Sequence, residues 1–292
     1  MASNLTSTIF SSTYKDDYKD SNNFHRILFN SSRTLQAREL TQSQTIIQKE
    51  IERFGNNIFK EGAMVNPGGV TVNNHLEYIK LAANTTIDKD AIIGTEFTGS
   101  SSGVKAKVID ALVDSGSLKP ATLYVTYTDT TSGTAGSSPI KMSANESITN
   151  GSVTFTTQTT NTADDPVTGE GTRASIAKGD FYVKGHFVNA QPQSKIISRY
   201  TTNPSKNLGF SVTESIVTST DDDTLFDNQG ATPNRSAPGA DRFKIKLDIA
   251  TKDELDSDTT FCHVANVVNG VITSQPTGAN DYNRLNDLLA TR

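Results

Sequence analysis

The sequence has one cysteine, no tryptophan and only three methionines in 292 residues. The lone Cys262 has no partner for an internal disulfide, and between two strand-like runs it reads as a small buried apolar residue rather than a nucleophile. No apolar run approaches the roughly 20 residues that span a bilayer. Met1 to Phe10 lacks the basic segment and continuous apolar stretch of an export signal. An excess of basic charge is missing too: 27 Lys and Arg against 32 Asp and Glu leave a formal net charge of -5. That balance argues against broad capture of nucleic acid or of an anionic membrane, which require a basic surface.

Catalytic spacing is equally absent. His25, His75, His186 and His263 lie in unrelated local contexts, and none has the i, i+4 partner or close cysteine of a zinc site. The adjacent carboxylates of Asp221, Asp222 and Asp223 splay apart instead of wrapping a calcium ion, and read as a solvated turn leading into a short helix. Gly68-Gly69 lacks the strand, turn and helix of a dinucleotide site, and the loop Gly230 to Arg242 lacks the ending of a phosphate loop. In that loop two prolines and Gly239 shape a turn that Asp241 and Arg242 can lock just before a strand. With no serine elbow either, the expectation is a protein with no catalytic residues, no cofactor and no metal, and hence not an enzyme.

What the chain does have is Thr, Ser, Asn and Gly in abundance, the composition of β-structure with many turns. A hydrophobic share of 34% and a charged share of 20% allow a sizeable core, more naturally divided among β-rich units than gathered in one. Residues 1–62 read as an arm followed by one long helix, an attachment or oligomerisation element. The arm carries Tyr14 and Tyr18, suited to anchoring it on a neighbour, and ends in a short element with Phe24 and Arg26.

From Ala37 to Ile58 the period changes. Ala37, Leu40, Gln44, Ile47, Ile51, Phe54 and Ile58 alternate three and four residues apart, which places them on one face of a helix about 33 Å long. Thr34 is the expected N-cap and Gly62 the expected terminator, with Gly55 fraying the end. Two readings fit the stripe: a helix laid on its own sheet, or one shared around a homo-oligomer axis with Gln44 setting register. Three heptads do not decide between them.

The rest of the chain alternates as strands do. A first β unit is expected over 63–150, with runs at Val70 to Val72, Leu76 to Leu81, Val104 to Val113 and Leu123 to Thr128. A second is expected over 151–280. It holds Val153 to Thr156, a strand, a Gly break and a second strand over Asp180 to Ala190, and further strands at Lys195 to Tyr200 and Leu208 to Val217. In Phe243 to Ile249, Phe243, Ile245, Leu247 and Ile249 point to the core, and Phe261 to Val268 is expected beside it. Polar stretches at 129–139 and 159–172 read as exposed tips. Residues 281–292 look like the start of a helix that continues into further sequence. The fold class is therefore mainly β with one long N-terminal amphipathic helix, α+β overall, built from β-sandwich or barrel-like units.

Several segments taken together resemble a known family. Phe24-His25-Arg26-Ile27-Leu28-Phe29, Leu35 to Gln42, Ile51 to Gly55 and Lys60-Glu61-Gly62 are similar to the N-terminal domain of virion structural proteins in large tailed phages and cyanophages. So are Gly185 to Val188, Leu208 to Glu214, Asp227 to Gly230, Ala237 to Arg242 and Tyr282 to Leu289. Asn30 to Arg33 departs from the Pro-Gly turn that relatives tend to have before the helix. The resemblance implies a structural protein of the tail baseplate or proximal tail fibre, located in the virion and assembled in the host cytoplasm. It implies contacts with other tail proteins and with copies of itself, a trimer among the arrangements allowed. The alternatives are a host-surface adhesin working through the polar tips and, further off, a glycan-degrading tail enzyme.

Overall fold

The computed structural model describes residues 13–66, 68–116, 119–130, 141–226, 236–255 and 260–274. In chain order these form α1 (Ala37–Ile58), β1 (Val70–Lys80), α2 (Lys89–Ile92), β2 (Glu96–Gly99), β3 (Lys105–Leu112), β4 (Thr122–Asp129), β5 (Ser147–Thr149) and β6 (Thr154–Thr156). There follow β7 (Thr168–Ile176), β8 (Gly179–Val183), β9 (His186–Ala190), β10 (Gln193–Ser198), β11 (Lys206–Val217), β12 (Arg242–Thr251), β13 (Thr260–Val268) and β14 (Val271–Ser274). The mainly β architecture with one long N-terminal helix is thus the one expected. Its strands follow from alternation: in β3, Lys105 and Lys107 face water while Ala106 and Val108 are buried.

The largest sheet runs β10-β7-β1-β4-β3-β2-β5-β6, with antiparallel neighbours throughout. Its β1-to-β6 portion closes on itself. Leu81, just past β1, bridges Thr157, just past β6, and the Ala82 and Gln158 amides donate to the carbonyls of Thr156 and Lys80, both at 2.9 Å. Closure removes the free edges that an open sheet would present. The interior is filled by Ile79, Leu81, Phe97, Val108, Leu123, Met142, Ile148 and Phe155.

The other half of β1, with β7, β10 and the β8-β9 hairpin, is covered by a second sheet ordered β12-β11-β13-β14. Val70, Ile176, Phe181 and Ile197 meet Leu208, Phe210, Leu247 and Val264 in one apolar layer, and the rings of Phe181 and Phe210 meet edge to face at 4.8 Å. A register shift between Asn73 and Leu76 marks where β1 passes from one core to the other.

The division expected at residues 150 and 151 does not separate the sheets, because β7 and β10 pair onto the free side of β1. The two largest apolar clusters do divide near that point, one drawn from residues 79–155 and the other from residues 174–267 together with Val70, while a smaller third joins Leu76, Tyr78 and Tyr124 to Ile196. The polar stretch expected as a tip through Thr172 enters β7 at Thr168. Gly169 there leaves room for the Tyr78 side chain and Gly171 for the Arg199 carbonyl, where a Cβ would collide. β13 pairs with β11, which lies between it and β12. Asp88 caps the short helix α2 by accepting from the Asp90 amide at 3.1 Å. Asp222 similarly accepts from the Thr224 amide at 2.9 Å, starting a short 3-10 turn as expected. The expected closing helix over 281–292, the loop residues 131–140 and the motif Asp227 to Gly230 lie outside the described residues.

Two buried groups report on this packing. Cys262 sits in the sandwich core at 1% exposure, and burial pushes its thiol up to about 12. We expect it to resist a maleimide in the native protein and to react once denaturant opens the core. Glu146, 2% exposed, accepts from the amides of Ser101 and Ser102 on one oxygen (2.9 and 2.6 Å) and Ser143 on the other (2.7 Å). Burial pushes its carboxyl up, but these donors outweigh it and hold it below the ordinary value. A folded value below the unfolded one gives stability that is present above the unfolded value and lost as pH falls through the folded one. Glu146→Gln should cost roughly 1.5–3 kcal/mol near neutral pH. In urea titrations run from pH 7 down to pH 3, the gap between wild type and variant should close in acid.

Candidate functional site

Residues 13–62 carry the features that the two cores leave unexplained. α1 begins at Ala37 because Gln36 and Glu39 close its first turn: the Gln36 amide donates to the Glu39 carboxylate at 3.0 Å, and the Glu39 amide donates to the Gln36 carbonyl at 3.0 Å. This reciprocal pair needs an acceptor three residues on, which Glu39 supplies for Gln36 and Ala37 does not for Thr34. At the other end the Phe59 amide closes on the Gly55 carbonyl at 2.7 Å. Gly55 therefore lies inside the helix instead of fraying it.

The helix is seated on the β8-β9 hairpin, whose turn residues Lys184 and Gly185 both take positive φ, 50° and 78°. Gly55 lies against the side chain of Tyr182: a Cβ there would stand 2.5 Å from the Tyr182 ring. The Tyr182 hydroxyl can donate to the Glu52 carbonyl (3.1 Å) or to Asn56 Oδ1 (2.9 Å). Gln48 donates to the Gly185 carbonyl at 2.9 Å. Past the helix, Phe59 packs against Tyr182 and Phe187, and Tyr182 exchanges backbone bonds with Gly62 and Ala63, each at 2.9 Å.

Charged groups complete this contact. Lys49 pairs with Glu52 at 2.8 Å and Lys184 with Glu214 at 2.9 Å, all four side chains being mostly buried. His186 stands beside them. Burial lowers its basicity, and the nearby Glu52 and Glu214 oppose that effect without cancelling it.

The polar face of α1 therefore points inward. Of its larger apolar side chains Ile46 is buried, whereas Leu40, Ile47, Ile51 and Phe54 are 47, 62, 39 and 66% exposed. Ala37 and Gln44 are exposed as well, and Ile58 is half-buried. The reading in which the stripe packs on the protein's own sheet is overturned: the sheet side takes hydrogen bonds and a glycine, neither of which registers as hydrophobic period. Full burial of each exposed side chain is worth roughly 1.5–3 kcal/mol, against about 1 kcal/mol net for one hydrogen bond on the seated face. The larger unrealised free energy lies on the outward face.

The arm runs beside the helix. Tyr14 donates to Asp241 at 2.6 Å, and that bond, with burial, raises its phenol to about 12. Asp16 accepts from Thr45, Asp17 from Gln42 at 2.8 Å, and Asp20 pairs with Arg53 at 3.6 Å. Tyr14, expected to hold a neighbour, thus holds its own chain, while Tyr18 is half-buried with its phenol raised first by burial and then by Asp20. Asp241, expected to lock a turn with Arg242, receives Tyr14, and Arg242 donates to the Ala240 carbonyl instead. Arg26 is exposed, as are Phe24 (53%), Leu28 and Phe29. With Leu35 and the four helix residues these make eight of the fifteen exposed large apolar side chains among the described residues. Exposed apolar surface is therefore concentrated here.

Other candidate features carry less. A cleft of about 780 Å³ lies between the arm, the first half of α1 and residues 239–243, and its polar groups Tyr14, Asp241, Lys49 and Glu52 are paired with one another. Among the described residues no group of three or more His, Cys, Asp and Glu side chains could hold a metal ion. Within those residues, too, no helix is long and apolar enough to cross a membrane. The tip before β7 is tethered: Asp165 takes Lys80 at 2.6 Å and Gln158 at 2.7 Å.

An alanine in place of an exposed helical glycine ordinarily stabilises by about 1 kcal/mol. Beneath Tyr182 we expect the reverse: Gly55→Ala should destabilise by roughly 1–3 kcal/mol and speed amide exchange across residues 37–58 relative to the barrel strands. Unchanged exchange would remove Tyr182 as the anchor.

No curated protein matches the chain, and no solved structure matches it. One family model does, described as a domain of unknown function, DUF4815, over residues 12–87 and 141–292. The matched stretches hold the arm, α1, the hairpin beneath it and the sandwich strands, while α2 and β2 to β4 fall between them. The chain, matched over most of its length, belongs to the DUF4815 family.

Proposed function

We propose that this protein is a non-catalytic structural subunit of a phage tail, in the baseplate or at the base of a fibre, attached through its arm and α1. The observation that carries this is the orientation of α1, which is fixed to the body by polar contacts while Leu40, Ile47, Ile51 and Phe54 are presented outward. Contiguous apolar surface of this kind marks a protein contact on a water-exposed fold. The virion setting is supported by the resemblance of the arm, helix and sandwich segments to tailed-phage structural proteins. The two fused β cores suit a load-bearing part, since closed and doubly covered sheets leave few edges to open. The acidic balance of the chain makes its partners other tail or baseplate proteins in preference to nucleic acid.

Ile47→Lys combined with Phe54→Lys should leave the purified chain folded, because both side chains are exposed. Particles made with this variant should lack the protein when their composition is measured by mass spectrometry. Normal incorporation would contradict the attachment role. Normal incorporation with lost adsorption would favour host binding instead.

A further inference from the structure

The partner of the outward face is set by its spacing. Ala37, Gln44, Ile51 and Ile58 recur every seven residues, and so do Leu40, Ile47 and Phe54 between them. A helix laid in an irregular groove needs an apolar stripe at least 100° wide that follows its 3.6-residue turn. A strict two-in-seven seam instead matches another helix of the same repeat, wound with it in a left-handed supercoil.

The way α1 is seated agrees. Its body contacts come from Gln48, Glu52, Gly55 and Asn56, on the back and one flank of that repeat. Leu40, Ile47, Ile51 and Phe54 remain open, as does Asn57 on the opposite flank, while Ala37 and Gln44 border the cleft facing residues 239–243 and Glu50 meets His25 of the arm at 3.7 Å. The body thus occupies the back and one flank and leaves the edge formed by Leu40, Ile47 and Phe54 free. Each helix is also formed before it meets another, which removes the nucleation cost that makes isolated helices of this length marginal.

We propose that the occupant is α1 of two further copies of this chain, in a parallel three-helix bundle with Gln44 on its axis. Three copies are the smallest number the seam chemistry favours: isoleucine occupies both kinds of seam position, Ile51 and Ile58 at one and Ile47 at the other, a combination that shifts preference from dimers to trimers or tetramers. Parallel order follows from Gln44. In register and parallel it faces its own equivalents and shares hydrogen bonds with them. Antiparallel about the helix centre it would stand opposite Ile51 and leave its amide unpaired in an apolar seam. The open flank is almost neutral, so like charges do not oppose a contact between identical helices.

This inference rests on the attachment role of α1 and is tested on the purified full chain. Light scattering coupled to size exclusion should give three times the 31.4 kDa chain mass, falling to the single-chain mass in Ile47→Lys with Phe54→Lys. Gln44→Cys should form interchain disulfides under mild oxidation by copper phenanthroline, with Cys262 buried and silent. A dimer would overturn the stoichiometry, and a trimer without Gln44→Cys crosslinks would overturn the parallel order. A wild-type chain that stays monomeric up to high micromolar concentration overturns self-association. If the double variant is then still excluded from particles, the attachment role stands and the seam serves a different tail protein. If it is incorporated, both fall.

Discussion

The packing of Tyr182 against Gly55 decides which way the long helix faces. With no side chain at Gly55, Tyr182 lies close enough for its hydroxyl to reach the backbone of Glu52 and the side chain of Asn56. Once that contact is made, rotation of the helix is fixed. Gln48 meets the hairpin carbonyl of Gly185, Lys49 and Glu52 are covered, and the apolar seam has nowhere to go but outward. An amphipathic helix ordinarily buries its apolar face in its own core. Here a glycine, a tyrosine and a few polar bonds reverse that choice, and the reversal turns a packing element into a surface for assembly.

The body beneath the helix is built to hold the hairpin still. Phe181, next to Tyr182, points the opposite way and is locked against Phe210 in the sandwich core. That core takes β7, β10 and half of β1 from the sheet whose other strands close into the barrel, so the hairpin rests through Phe181 on an apolar layer anchored in that sheet. The arm reinforces the helix along its polar back through Asp16, Asp17 and Asp20. Rigid presentation limits the ordering cost when a partner meets the seam.

Much of this was legible in the sequence. The bounds of α1, the alternation of β12 and the paired strands of β8 and β9 stand out because apolar period alone specifies them. The orientation of α1 was not legible, because hydrophobic spacing reports which residues share a face and says nothing of whether the body or a partner covers it. Gly55 looked like a helix breaker because its use lies in a tyrosine 127 residues away in sequence. The start of β7 was hidden in polar Thr and Gly residues, the glycines making room for Tyr78 and the Arg199 carbonyl instead of following a period. The bond between Tyr14 and Asp241 was not legible either, since the distance between residues so far apart in sequence closes only in the fold.

The central claim is that the exposed seam of α1 is an assembly contact, held outward by its polar seat. A density map of the assembled tail with side-chain detail tests this most directly. The account predicts Leu40, Ile47, Ile51 and Phe54 covered by protein, with Tyr182 still packed on Gly55. A map in which those four side chains face solvent, or in which α1 has rolled to bury them in its own body, would contradict it.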